Sequence, residues 1–94
     1  MIRIVKLGAD WCVPCRMMKP SILKLQEKYS ENSNIQIEDI NIEENSELAK
    51  EHGVRSIPTT LIFKDDKLVD KKVGSLTFEI LENIINTLQN EDRS

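Results

Sequence analysis

Trp11-Cys12-Val13-Pro14-Cys15 follows a short apolar run, Ile2, Ile4, Val5 and Leu7, that closes at Gly8, and precedes a long stretch with helical spacing. The run before it has the β-branched, nearly continuous character of a buried strand. After it, Met18, Ile22, Leu25 and Tyr29 recur at four, three and four residues, one stripe of a helix from about Cys12 to Ser30. Cys12 therefore sits where a strand hands over to a helix. The unpaired backbone N–H groups there, with roughly half a positive charge from the helix dipole, favour a thiolate over a thiol. Pro14 suits a first helical turn, where its missing N–H has no helical partner to lose. Cys15 lies almost one turn along the same face, and its Cα can come within the ~4.4–6.8 Å that a disulfide needs.

The two cysteines are the only ones in the chain, which excludes a multi-bridge scaffold, and a bridge between them closes too short a loop to stabilise much. A purely structural disulfide and a zinc half-site are the alternatives to redox chemistry. Zinc would need four ligands, and beyond the two sulfurs only His52 offers a third, so a metal would require a dimer. For redox work, lowering a thiol pKa from about 8.5 to about 7 raises the thiolate fraction at pH 7 some 15-fold. Intrinsic nucleophilicity falls with pKa and returns about fivefold of this, so roughly threefold remains. The larger gain comes when Cys15 attacks a mixed disulfide on Cys12: a neighbour held in place acts at high effective concentration, and a low-pKa Cys12 is the better leaving group.

Outward from the motif, Pro20 falls inside the helical stripe and is expected to kink the helix rather than break it. Asn32-Ser33-Asn34 has turn chemistry, and Ile35 to Ile42 alternates as a second strand, parallel to the first through a right-handed crossover. Asn45 or Ser46 caps a short helix through Lys50, stopped at Gly53. Ile57-Pro58 leads into a strand from Thr59 to Phe63. Asp65-Asp66 turns tightly into a fourth, Lys67 to Val73, making a hairpin. After Gly74, Ser75 or Thr77 caps a closing helix whose Leu81, Ile84, Ile85 and Leu88 share a face, and Asn90 to Ser94 is expected to fray. The order βαβ, α, ββα predicts an α/β fold.

Length and charge bound the rest. Ninety-four residues suffice for one domain, 1–94, with a small core. Charged residues at 31% and a net charge of −3, without a block of one sign, argue against a nucleic-acid or anionic-membrane partner. No apolar run approaches the ~20 residues of a membrane helix, and Met1 to Leu7 lacks a secretion signal's pattern, so a cytoplasmic address is expected.

Taken together these residues resemble the thioredoxin family over essentially the whole chain. The family's Trp-Cys-x-Pro-Cys motif is matched by Trp11 to Cys15, its helix proline by Pro20, its proline opposite the active site by Ile57-Pro58-Thr59, and its glycine after the last strand by Gly74. The resemblance implies a minimal thioredoxin fold: a four-stranded mixed sheet in the order 2-1-3-4, with three helices on both faces. It also implies reduction of protein disulfides, with Cys12 as attacking thiolate and Cys15 as resolving thiol. Pro58 looks like the family's cis-proline, with Ile57 offering backbone hydrogen bonds to an extended substrate; a trans proline starting an edge strand is the alternative. Trp11 either shields the sulfurs and contacts substrate or packs over the helix start. By the same resemblance no cofactor is needed, the chain is expected to be a monomer, the electron donor is a thioredoxin reductase, and ribonucleotide reductase is an acceptor. A glutaredoxin-like enzyme using glutathione and a metal-binding module are the rival readings.

Three departures stand out. The chain begins directly at the strand before the motif, without the family's usual first strand and helix, like the short forms among phage thioredoxins and small glutaredoxin-like proteins. Val13 replaces the common glycine. Where the family has a buried acid six residues before the nucleophile and a lysine on the next strand, this chain has Lys6 and Asp39. Lys6 shares a strand face with Ile2 and Ile4, and Asp39 shares one with Ile35 and Ile37. Each is a charge at an apolar-patterned position, and adjacent parallel strands would let them pair under Cys15. Lys6 would then lower the thiol pKa as a cation or, if neutral, accept its proton. The alternative is two strand-end side chains whose heads reach water. Asp10 is a further candidate helix cap, His52 a helix C-terminal residue, and Met17 and Met18 packing residues.

Overall fold

The first strand, β1 (Ile2–Gly8), is buried on both faces, which is why its sequence is nearly continuous in apolar residues rather than alternating. The computed structural model describes residues 1–91. After β1 come α1 (Val13–Lys28), β2 (Ile35–Asn41), α2 (Glu47–Glu51), β3 (Thr59–Lys64), β4 (Lys67–Val73) and α3 (Phe78–Glu91). The sheet order is β2-β1-β3-β4. β2 runs parallel to β1, with Ile2 opposite Ile35 and Lys6 opposite Asp39. β3 is antiparallel to β1, and β4 to β3. This is the expected four-stranded mixed sheet.

Two cores follow from the alternation along β1. Ile2 and Ile4 face α1 and α3, where they meet Met18, Ile22, Leu25, Ile62, Leu81 and Ile85. Val5 and Leu7 face the other way, with Leu61 and Phe63, beneath Leu48, Ala49 and Val54 of the α2 region. The α2 helix has only five residues, none of them fully buried. It covers its face of the sheet through half-buried side chains.

The local signals are met with some changes of detail. α1 runs unbroken through Pro20. The Asn32 side chain accepts from the Asn34 N–H at 2.9 Å, fixing the turn into β2. Ser46 stands at the start of α2 but its side chain makes no capping bond, so the expected cap is one of position only. Gly53, at φ 62°, takes the left-handed conformation that ends that helix. At α3 the capping residue is Thr77, whose hydroxyl accepts from the Ile80 N–H at 3.2 Å. The expected fraying from Asn90 is not seen at Asn90 and Glu91, which are helical. The last turn is tied to the sheet: Lys64 Nζ donates to the Leu88 carbonyl at 2.9 Å and lies 3.4 Å from Glu91. The remainder of that expectation, residues 92–94, lies outside the described residues.

The β3–β4 hairpin turns through Asp65 and Asp66 at φ 51° and 68°, the two consecutive left-handed residues of a tight hairpin turn. Every residue of β4 is exposed. Its Lys67, Lys71 and Lys72 discourage edge-to-edge pairing.

Two stability measurements check this account. Ile22 is fully buried between α1 and the sheet, and Ile22→Ala is expected to cost about 2–5 kcal/mol in urea unfolding. Asp66→Gly removes the penalty of a side chain at positive φ and should stabilise the fold by about 0.5–1 kcal/mol, read as a higher urea midpoint at unchanged slope. Asp66→Val should lower it.

Candidate active site

The burial of β1 ends at Gly8, and the chain turns at once into α1, so whatever caps α1 stands at the sheet's end. The cap is Cys12, in extended conformation at φ −87° and ψ 112°. Its Sγ accepts from the Cys15 backbone N–H at 3.3 Å. A sulfur thus occupies the place usually taken by a Ser or Asp oxygen, against N–H groups that favour negative charge. Asp10, a candidate cap in the sequence, is exposed and is not the capping group. Cys12 and Cys15 are joined as a disulfide, with Cα atoms 5.2 Å apart, inside the range anticipated from their spacing.

Cys12 is 6% exposed and Cys15 1%. In the bridged state the first sulfur is therefore more covered than its expected role suggests, though it is the outer of the two. Ala9, Ile42 and Ile57 close around the bridge. The Ile57–Pro58 peptide bond is cis, and the Ile57 carbonyl oxygen lies 3.8 Å from Cys12 Sγ. The loop is held from both sides: the Thr59 hydroxyl donates to Ser56 O at 2.7 Å, and Gly74 N–H donates to Pro58 O at 2.8 Å. Gly74 has φ 101°, a conformation open to glycine at little cost. Pro58 itself is buried and Ile57 half-buried.

Trp11, Val13 and Met17 are all exposed, Met17 to 72%. Trp11, at 66%, presents most of its surface to solvent. Met18 is buried as a packing residue should be, but Met17 is not: at one residue's remove on a helix it falls on the solvent side. An apolar rim results on the α1 side of the bridge. His52 ends α2 and sets its ring edge-on to Phe63, centroids 5.6 Å apart. Among the described residues no group of three His, Cys, Asp or Glu converges to hold a metal, and no helix is long and apolar enough to cross a membrane.

Beneath the bridge, Lys6 Nζ lies 3.2 Å from Asp39 Oδ1. The Lys6 side chain is 5% exposed and that of Asp39 26%, so the lysine is nearly covered and the carboxylate is the more open of the two. One residue was not singled out as functional from the sequence. A side-chain carbon at Gly8 would stand 3.0 Å from Cys15 Sγ and 3.4 Å from Lys6 Cε, so the lysine stem and the inner sulfur border the same gap. The available signal was Gly8's position two residues after Lys6, on the same strand face. That gap opens into a polar pocket of about 270 Å³, lined among others by Lys6, Gly8, Asp10, Cys15, Arg16 and Asp39. Such a pocket is roomy and polar enough for water. Thr60, across the strand pair from Lys6, is also fully buried.

Comparison with known proteins agrees with this geometry. The thioredoxin family profile matches residues 1–87. A thioredoxin of Porphyra purpurea is 40% identical over 83 residues, 88% of this chain and 76% of its own length. Thioredoxin 1 of Synechococcus elongatus is 37% identical over the same shares. Among solved structures, a thioredoxin of Nicotiana alata superposes with a TM-score of 0.77 at 34% identity, covering 90% of this chain and 71% of the other. A mutant thioredoxin of Halobacterium salinarum gives 0.78 at 31%, covering 92% and 73%. With its cysteine bridge at the head of the first helix and these matches along most of its length, the chain belongs to the thioredoxin family and is a thiol-disulfide oxidoreductase.

Proposed function

We propose that the chain reduces protein disulfides as a single domain, 1–94, with Cys12 as nucleophile and Cys15 as resolving thiol. The observation that carries the assignment is the Cys15 N–H aimed at Cys12 Sγ from the open end of α1, which stabilises an anion on Cys12 but not on Cys15. The Cys12 thiolate attacks one sulfur of a substrate disulfide; the new bond is a mixed disulfide and the other substrate sulfur leaves as a thiolate. Cys15 gives up its proton and attacks Cys12 Sγ, the mixed disulfide breaks, and the second substrate thiolate leaves. The product is the Cys12–Cys15 bridge of the present structure.

The other site residues take roles from their places. Lys6 and Asp39, beneath Cys15, manage the charge that appears when it ionises. Trp11 offers apolar contact to the substrate chain. The Ile57 backbone, held beside Cys12 by Pro58 and by the Gly74–Pro58 hydrogen bond, pairs with an extended substrate segment as an added strand would. A thioredoxin reductase restores the dithiol, with glutathione as the second donor to be compared. Ribonucleotide reductase is one disulfide substrate to try. The working form is a cytoplasmic monomer without a bound cofactor.

Replacement of each cysteine tests the order of events. Cys12→Ser should abolish reduction of a disulfide-bonded protein. Cys15→Ser should accumulate a covalent adduct on Cys12 and lose turnover by at least roughly a thousandfold, because an intramolecular attack at high effective concentration is gone. Adduct on Cys15 in the Cys12→Ser chain, with turnover retained, would reverse the assignment. Faster reduction of the oxidised chain by a thioredoxin reductase than by glutathione is the expected donor preference.

A further inference from the structure

We propose that Met17 is an oxidation site that controls substrate docking: conversion of its thioether to the sulfoxide by a peroxide makes the apolar rim beside Cys12 polar and weakens the hold on a protein substrate. This rests on the reading of the chain as a reductase of protein disulfides, and adds to it a modification that acts on docking and leaves the cysteine pair untouched.

The sulfur-bearing residues are Cys12, Cys15, Met1, Met17 and Met18. In the bridged chain the two cysteines carry no thiolate for a peroxide to attack. Among the thioethers, exposure decides which one a peroxide reaches. Met18 is 1% exposed and packs with Ile22 and Leu25, Met1 is 46% exposed and Met17 72%. Met17 is therefore the most open sulfur-bearing residue of the bridged form.

Its place determines what the modification does. Val13 and Met17 are four residues apart on α1, so they share a helix face at a rise of about 6 Å. Trp11 and Val13 flank the capping Cys12 in sequence, and all three rim side chains are exposed. Met17 thus carries the apolar rim one turn beyond the bridge. Met1 stands at the other end of β1, where its amino group donates to Asp65 Oδ1 at the hairpin turn, and the seven residues of that strand put roughly 20 Å between it and the bridge. The two exposed thioethers are therefore separated by the length of the sheet.

In the step itself the thioether sulfur takes one peroxide oxygen. The O–O bond breaks, an S–O bond forms, and the second oxygen leaves as water; the sulfur gives up two electrons and the peroxide accepts them. The side chain changes from apolar to polar, and covering a polar group without a hydrogen-bond partner costs binding. Met17 lies away from the reacting sulfurs, so the loss falls on KM rather than kcat. Its expected size is about tenfold in KM, the equivalent of about 1.4 kcal/mol.

The test treats the bridged chain with hydrogen peroxide, removes the excess with catalase, and compares each variant with itself before and after. Peptide mapping by mass spectrometry should find sulfoxide at Met17 and Met1, with Met18 unchanged. In the parent, KM for a disulfide-bonded protein should rise about tenfold at unchanged kcat, while reduction of a small aromatic disulfide, which does not cover the rim, keeps its rate. Met17→Leu conserves volume and removes the thioether, and should show no rise although Met1 is still oxidised. Met17→Gln, polar and of similar length, should raise KM without any oxidant. Unchanged parent KM with Met17 oxidised overturns the proposal. So does an equal rise in Met17→Leu, an equal loss towards the small disulfide, or oxidation of Met18 ahead of Met17. Failure of the reductase reading is distinguishable, because it shows before treatment: an untreated parent that reduced no protein disulfide would sink both, whereas an active parent indifferent to peroxide sinks this proposal alone.

Discussion

The Cys15 N–H pointing at Cys12 Sγ is the contact on which the site depends. It exists because a helix must begin somewhere, and its first N–H groups must find acceptors. In this chain the acceptor is a sulfur rather than an oxygen, so a requirement of folding and a requirement of catalysis are met by one atom. The position of that atom is set by β1. Being buried on both faces, the strand cannot shift without moving Val5 and Leu7 out of one core or Ile2 and Ile4 out of the other. The bridge is thereby fixed at the sheet's end.

Much of this architecture was legible because burial leaves periodic traces. The stripe Met18, Ile22, Leu25 gave α1, the consecutive Asp65-Asp66 gave the hairpin turn, and Thr77 stood where α3 needed a cap. What the residues did not disclose is which of two adjacent side chains faces inward when both are apolar, as with Met17 and Met18. Nor did composition show that the final turn of α3 is anchored by Lys64, since that contact joins residues 24 positions apart. Ser46 is the converse case: a residue of the right type at the right place, whose hydroxyl makes no capping bond.

The site divides in the same way. Cys12, Cys15, Trp11, Pro58 and Gly74 were visible as motifs, and the structure gathers them at one end of the sheet. Lys6 and Asp39 were visible as charges at positions of apolar pattern, and the parallel register sets them opposite each other. Gly8 carried no comparable mark. A glycine at the end of a strand reads as punctuation, and only the position of a neighbouring sulfur shows that its missing side chain is used.

The pairing of Lys6 with Asp39 needs a reason beyond stability. Removing a lysine head from water costs several kcal/mol, and a single carboxylate at 3.2 Å that is itself partly hydrated returns little more than that cost. An apolar residue at position 6 would extend the face made by Ile2 and Ile4 at no such expense. The cation's stem instead borders the gap that Gly8 leaves beside the Cys15 sulfur. The bridge is approached from two sides with different chemistry: an apolar rim of Trp11, Val13 and Met17 beside Cys12, and a polar pocket reaching Cys15 from below. A protein substrate suits the first, and protons and water suit the second. None of the three rim residues lines that pocket, so the two sides stay separate.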